Sequence, residues 1–423
     1  MKTLQSIRGM RDILPGESAA WQWLERKLQS TLASYGFAEM RLPMLERSEL
    51  FMRAIGQGTD VVEKEMYAFD DRNGESICLR PEGTAGVVRS ALQHGLLNPP
   101  GIKLWYSGPM FRYERPQKGR QRQFHQTGVE VFGIESAAVD VELLALGTRL
   151  WRELAIDDRV ELELNTLGDR ADRQRYREAL VDFLRPHAAA LDDDSRRRLE
   201  TNPLRIFDSK VETTREILRD APRLVDSIGA EARAHFDQVR EMLDRLGIRY
   251  RLNPGLVRGL DYYCRTVFEW TTDALGAQGT ICAGGRYDDL IEIQGGRPTP
   301  GIGFAMGMER LLELVGRECD GFDDAPHVYL VGDEVTDRLV LAEELRSQWA
   351  GLRLITDLQG GSFKSQFKRA DRSGAELALV LGDDEIRQRR ITVKFLQQGR
   401  DQASVPRENL GAWLREMLAS TPG

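Results

Sequence analysis

Between residues 170 and 250 the chain changes character. The stretch is dense in Arg, Asp, Glu and Leu and reads helical throughout. Ala232, Phe236, Val239, Leu243 and Leu246 recur there at steps of three and four, and Gly247 supplies a stop. On either side lie glycine-rich regions with the alternation of strands, around 103–132 and 252–311. A helical block between two such regions reads as an inserted module that interrupts one sheet-built domain. The 423 residues exceed what a single core serves, so two or three domains are expected. The texture changes again after Asp323-Asp324-Ala325-Pro326. Short apolar strands at 327–331, 352–355 and 378–381 alternate there with helical patterns, predicting a small α/β domain with a mostly parallel sheet.

Near the start, Trp21, Leu24, Leu28, Leu32 and Tyr35 mark a helix after Pro15-Gly16-Glu17-Ser18, with Gly36 as its stop. Residues 37–43 alternate like a strand, and Pro43 confines it to an edge or a strand end. Runs at 103–112 and 124–132 flank an eleven-residue polar stretch, a hairpin loop longer than the usual two to five residues and of a length that often carries function.

Several classes of function are excluded. No run of eighteen apolar residues is present, and residues 1–6 lead into charged sequence without a secretion signal. Cys78, Cys264, Cys282 and Cys319 make no CxxC pair, so reduced thiols in a cytoplasmic protein are expected. A balance of 59 basic and 66 acidic residues rules out a generally basic nucleic-acid coat and leaves room for a local patch. The five histidines form no HExxH, and neither a GxxxxGK[ST] loop nor a GxSxG elbow occurs. A chain of this kind that handled ATP would have to do so with arginines on an antiparallel sheet.

Four segments point that way. Five basic residues lie from Arg112 to Arg122, against the single acid Glu114, in the loop of the predicted hairpin. A charge run is ordinarily a solvated loop. Here, however, the strand after it puts Gln126, Gly128 and Glu130 on one face, and a core face would be apolar. Arginine can fork onto phosphate oxygens, and Phe124 offers a ring for stacking a base. In the second segment, Gly301, Gly303 and Gly307 allow close approach to the backbone, and Arg310 opens an amphipathic helix. The third, 257–269, is strand-like and carries Arg258 and the pair Tyr262-Tyr263; alternation predicts that only one of these tyrosines, Tyr263, faces a pocket. The fourth is Gly284-Gly285-Arg286-Tyr287 within 283–290.

Together these segments resemble the histidyl-tRNA synthetases, a family of class II aminoacyl-tRNA synthetases, over nearly the whole chain. The helix and strand ending at Pro43 resemble the first class motif, 112–130 the second and 301–310 the third. Segments 258–269 and 283–290 resemble the two motifs peculiar to this family, and Arg80-Pro81-Glu82-Gly83-Thr84 resembles its substrate-binding turn. Cys264 and Gln121 depart from the usual pattern without touching an assigned role. The resemblance implies an α+β catalytic domain, 1–325, with a mixed, mainly antiparallel sheet of the class II synthetase type. A helical insertion would interrupt it at about 170–250, and an anticodon-binding-like α/β domain would follow over 326–423.

It further implies ATP-dependent activation of L-histidine, transfer to the 3′ end of histidine tRNA, and a homodimer with no membrane association. Arg112 and Arg258 would hold the α-phosphate as the catalytic residues, Arg258 standing where other enzymes of the class use a further metal ion. Arg120 and Arg310 would bind the outer phosphates, Phe124 would stack on adenine, and Glu114 would complete the ATP site. Mg²⁺ would be ligated mainly by phosphate and water, with no dedicated protein metal site. Glu130 and Tyr263 would meet the imidazole, Glu82, Thr84 and Gln126 the α-amino end, and Arg112, Arg258, Tyr262 and Tyr287 would complete the histidine pocket. Gln117 and Arg122 would read the acceptor stem, and Lys364, Lys368, Arg369 and Arg372 would face the anticodon end. The rival readings are a non-catalytic, synthetase-like regulatory subunit of ATP phosphoribosyltransferase and a pure RNA-binding or sensor module. The phosphate arginines, the Arg258 segment and the C-terminal domain speak against both.

Overall fold

The glycine-rich regions on either side of the helical block meet in one sheet. The computed structural model describes residues 3–56, 59–117, 119–201, 203–257, 260, 262–276, 279–316, 325–397 and 400–419. Two units are distinguished, 1–318 and 319–423. The first contains β1 Ala38–Glu39, β2 Leu45–Arg47, β3 Tyr67–Asp70, β4 Ser76–Leu79, β5 Ile102–Phe111, β6 Gln123–Phe132, β7 Glu161–Thr166, β8 Arg251–Leu252, β9 Cys264–Thr271, β10 Thr280–Arg286 and β11 Gly301–Gly307. Eight of them form a sheet in the order β1-β5-β6-β11-β10-β9-β7-β8, and β2-β4-β3 form a small second one. In the large sheet β1 runs parallel to β5 and β7 to β8, while every other neighbour is antiparallel. Three joints cross the insertion: β6 with β11, where Glu130 lies opposite Gly303, β7 with β9, and β7 with the short β8.

Two strand expectations shrink. Of residues 37–43 only Ala38–Glu39 pair, because the chain turns away before Pro43 to enter β2. The run at 257–269 becomes a strand only from Cys264. The hairpin matches its expectation closely, with residues 112–122 as the loop between β5 and β6.

One face of the large sheet carries the helices Glu17–Ser34 and Ala137–Glu153, which touch each other and bury Leu24, Leu28 and Leu32 from the first and Leu143, Leu146 and Leu150 from the second. Trp151 meets Trp270 of β9 edge-to-face at 5.7 Å, and Gly147 leaves the room that Trp270 fills. The insertion begins with the helix Arg170–Leu184, capped reciprocally by Asp169 and Asp172, and ends with the helix Ala230–Arg245. Its Tyr176, Leu180, Leu184, Leu199 and Ile206 belong to the same apolar cluster as Phe51, Val61, Tyr262 and Tyr263 of the sheet domain. The module therefore has no core of its own.

The second unit contains β12 Val328–Gly332, β13 Leu354–Thr356, β14 Leu377–Leu381, β15 Arg390–Phe395 and β16 Ala403–Pro406, in the order β13-β12-β14-β15-β16. The expected mostly parallel sheet is instead mixed. β12 is parallel to β13 and β14, but β15 and β16 pair antiparallel. The links at 382–389 and 396–402 are too short for the crossover that a parallel pair needs.

Behind the large sheet lies a fully enclosed ion pair. Arg286 donates to Asp140 at 2.8 Å and to the main-chain carbonyls of Glu135 and Ser136 at 3.0 Å, with neither side chain exposed. Removing Asp140 would take from Arg286 its one fully buried counter-charge and leave only the partly exposed Asp288, 3.2 Å away. Asp140→Ala should therefore lose about 3–5 kcal/mol in urea denaturation. An unchanged unfolding midpoint would contradict that assignment.

Candidate active site

A cleft of about 520 Å³ opens beside β6, β10 and β11 and beneath the β5–β6 loop. One hydrogen bond behind its lining residue Thr84 sits Glu130, 1% exposed on β6. The hydroxyl of Thr84 donates to its Oε1 at 2.7 Å, and the hydroxyl of Tyr287 donates to Oε2. A methyl group on Gly303, directly opposite in β11, would overlap Oε2, so only glycine leaves the carboxyl its place. Glu82 lies at the start of the helix Thr84–Gln93 and accepts the main-chain N–H groups of Thr84 and Ala85 at 2.6 and 2.9 Å. Thr84 thus orients Glu130, and Glu82 shapes the turn as well as lining the cleft. Burial and the acidic groups nearby push the phenols of Tyr106 and Tyr287 well above their ordinary value, so both stay protonated.

Tyr262 and Tyr263 both line the cleft, with ring centroids 4.6 Å apart. The expectation that only one would do so is corrected. It applied strand alternation to residues that precede β9, where no pleat forces neighbours to opposite sides. Arg258 lies outside the described residues.

Toward the open end Arg112, Arg120 and Arg310 all line the cleft, together with Phe124 and Gln126. The Arg112 guanidinium lies 5.2 Å from the Phe124 ring centroid and donates through Nε to the Pro81 carbonyl at 2.9 Å. Arg120 pairs with Glu114. Burial pushes the Arg310 guanidinium below its ordinary value, and Arg120 and Arg112 push it further. Three crowded guanidinium groups make a place for an anion of several charges. Glu309 holds the strand under Phe124 by accepting the His125 N–H at 3.0 Å and meeting its ring Nδ1 at 2.9 Å.

The loop itself is braced. Arg122 stacks on Tyr113 at 3.8 Å and donates through Nε to the Glu114 carbonyl. The Gly9 carbonyl accepts the N–H groups of both Arg122 and Gln123. Arg122 therefore serves the loop's own architecture, whereas Gln117 is exposed at its tip, bridged to Arg120. In the second unit Lys364, Lys368 and Arg372 are exposed on the helix Phe363–Arg372. Arg369 is not part of that surface. Its guanidinium donates to both oxygens of Asp357, at 2.7 and 3.0 Å, and to the Gly360 carbonyl, tying the helix to the loop before it. Sequence reading missed Tyr106, Glu309 and the cleft residues Asp60, Glu65, Arg205 and Lys210. Glu309 adjoins the singled-out Arg310; the others carry no local signal.

The family model described as histidyl-tRNA synthetase matches residues 9–311, and one described as anticodon binding domain matches 328–417. A curated histidine–tRNA ligase from Halorhodospira halophila is 54% identical over 421 residues, covering 99% of each chain. The apo crystal structure of histidyl-tRNA synthetase from S. aureus is similar at a TM-score of 0.81 and 36% identity, over 98% of this chain and all of that one. The histidyl-tRNA synthetase structure from Nostoc shares the fold at 21% identity and a TM-score of 0.70, over 98% of this chain and all of that one. The architecture is thus the class II catalytic fold with a separate C-terminal α/β domain.

Burial pushes the Glu130 carboxyl from its ordinary 4.5 up to about 8, with Glu82 adding to the rise and the Tyr287 and Thr84 hydroxyls opposing it. Because the folded value lies above the unfolded one, the folded chain keeps a proton that the unfolded chain has released. Stability contributed this way is present below about 4.5 and is lost as pH rises toward about 8. Glu130→Gln, neutral throughout, should flatten that part of the decline in urea midpoints across the window. Identical pH slopes in the two proteins would contradict the burial argument.

Proposed function

The chain belongs to the histidyl-tRNA synthetase family, and from that premise we propose how its residues divide the work. Its activity is that of a histidine–tRNA ligase, which activates L-histidine with ATP and transfers the histidyl group to tRNA. The match to an anticodon-binding domain favours this activity over the regulatory-subunit alternative. One observation carries the assignment of roles: three guanidinium groups and three tyrosines line one cleft, and the buried Glu130 lies one hydrogen bond behind its lining residue Thr84.

In the first step the histidine carboxylate attacks the α-phosphorus, and the bond to the bridging oxygen of pyrophosphate breaks. The nucleophile is already ionised, so catalysis rests on positioning and on charge stabilisation. Arg112, and Arg258 from the matching motif, stabilise the α-phosphate. Arg120 and Arg310 take the outer phosphates. For Arg120 this means exchanging Glu114 for phosphate. Phe124 stacks with adenine. Among the described residues no three His, Cys, Asp or Glu side chains form a preset metal site. Glu114 and Glu269 line the cleft, and their carboxylates would hold Mg²⁺ directly or through water. The ion would neutralise charge on the outer phosphates.

Glu130 and Tyr263 select the imidazole, with Thr84 and Tyr287 orienting Glu130. Glu82 and Gln126 bind the α-amino group, and Tyr262 closes the pocket. A site with buried groups matched to both ring nitrogens rejects side chains that leave them unpaired. In the second step the terminal ribose hydroxyl of the tRNA attacks the histidyl carbonyl and AMP leaves. Gln117 meets the acceptor end, and Lys364, Lys368 and Arg372 meet the anticodon stem-loop. We place the chain in the cytoplasm as a homodimer. Exposure of Met44, Leu45 and Phe69, at 52%, 46% and 49%, supports a subunit contact at the small sheet. Among the described residues no helix is long and apolar enough to cross a membrane.

Histidine-dependent pyrophosphate exchange into ATP tests the reading. Wild-type chain should exchange with histidine alone, and Glu130→Ala should lose about 2–4 kcal/mol in kcat/KM for histidine while KM for ATP moves little. Wild-type histidine kinetics in that variant would remove Glu130 from the site. For the RNA surface, neutralising Lys364, Lys368 and Arg372 together should leave exchange intact. It should raise KM for tRNA and make its salt dependence shallower, since fewer counterions are released. An unaltered salt slope in the folded variant would place that surface elsewhere.

A further inference from the structure

The helical insertion reaches the same cleft as the phosphate arginines. Arg205, from the short turn Pro203–Asp208, and Lys210 just beyond it line the cleft with Arg112, Arg120 and Arg310. Arg205 is held there by one carboxylate of the sheet domain. Asp60 Oδ2 receives Arg198 at 3.3 Å and Arg205 at 3.6 Å, while its Oδ1 accepts Lys64 from the next turn at 3.1 Å. Arg198 also donates to the Arg205 main-chain carbonyl at 3.1 Å, so the two arginines are held as a pair. Burial acts to raise Asp60, yet Lys64, Arg205 and Arg198 hold its carboxyl below its ordinary value.

The residues that follow Asp60 connect this latch to the reacting end. They form a single π-turn, Val61–Glu65, whose Val61 and Glu65 line the cleft. The Glu65 carbonyl accepts the N–H of Tyr113 at 2.7 Å, immediately after Arg112, and its carboxylate acts electrostatically on Arg112. Under the latch, Val61 joins Leu199 and Ile206 of the insertion in one apolar cluster. At its root the insertion is fixed again, by Arg173 donating to the Tyr263 carbonyl and pairing with Asp289 at 3.7 Å. A segment held at both ends and sharing the domain's core is placed to contribute to a site that its neighbours already line.

Resting on the activation chemistry assigned above, we propose that Asp60 is a positioning residue for that step. It holds the insertion against the cleft so that Arg205 and Lys210 present their charge to the phosphates of ATP. The insertion is then part of the adenylation site, and its role is not confined to RNA. The ion pairs are partly exposed, so Asp60 matters here for where it puts two cations and much less for the stability it adds.

The test uses the full chain in tRNA-free pyrophosphate exchange, with Asp60→Asn, Arg205→Gln, their combination, Lys210→Met and Lys64→Gln. Asp60→Asn and Arg205→Gln should each raise KM for ATP about five- to tenfold and leave KM for histidine within about twofold, a split that general loosening would not produce. The double variant should be no worse than the more impaired single one, because both changes break one connection. Lys210→Met should also raise KM for ATP, whereas Lys64→Gln, whose bond stays within its own turn, should not. If Asp60→Asn does not fold, Arg205→Gln and Lys210→Met carry the test alone. Normal KM for ATP in those folded variants overturns the proposal, as does a defect confined to tRNA charging, which would assign the cations to RNA. Absence of exchange in the wild-type chain would instead remove the activation reading itself.

Discussion

Everything in the catalytic unit depends on the pairing of β6 with β11. These strands come from opposite sides of the insertion, and their register puts Glu130 opposite Gly303 and Gly128 opposite Ala305. A slip of one residue would turn Glu130 to the other face of the sheet and leave Gly303 opposite a side chain that needs no such space. The same joint brings the hairpin loop with Arg112 and Arg120 to the start of the helix that bears Arg310. Loop closure over so long an intervening stretch has a modest entropic cost, because that cost grows only with the logarithm of length. The register can therefore be held by ordinary strand pairing and by the fit of one carboxyl against one glycine.

The site holds like charges close together above a buried carboxyl. Arg112, Arg120 and Arg310 crowd together, with Glu114 covering one of them. Behind Thr84, Glu130 is engaged by two hydroxyl groups and shut away from water. Like-charge crowding and burial of a carboxyl are both unfavourable, and the rigid strands beneath hold the groups where they are. Glu309 under His125, Gly9 against the base of the loop and Glu82 at the head of its helix contribute to that rigidity without being placed to react.

Much of this was legible in the sequence where a local rule sufficed. Period-two alternation located the β5–β6 hairpin to within a residue, and glycines at 301, 303 and 307 marked a strand where backbone must come close. The rule failed for Tyr262 and Tyr263 because the residues before Cys264 are not pleated. Helical spacing grouped Arg369 with Lys364, Lys368 and Arg372, but spacing says nothing of Asp357, twelve residues earlier, which captures Arg369 alone. Strand β15 was overlooked although Ile391, Val393 and Phe395 alternate there, whereas the four-residue β16 offers little apolar signal. Least legible of all was the contribution of Asp60, Arg205 and Lys210. Each sits in unremarkable charged sequence, and only tertiary packing brings them to one cleft.

The shared core of the insertion has a consequence for how such a chain can change over time. A module with its own core can be lost, exchanged or lengthened as a unit, since its removal exposes little. Here, Tyr176, Leu180, Leu184 and Ile206 pack into the cluster that holds Phe51 and Tyr263. Excising the block would uncover apolar surface beside the substrate pocket, and a replacement would have to match that surface side chain by side chain. Length variation among descendants of this chain should therefore gather at turns remote from the cluster, while the helices facing it drift only together with the sheet domain.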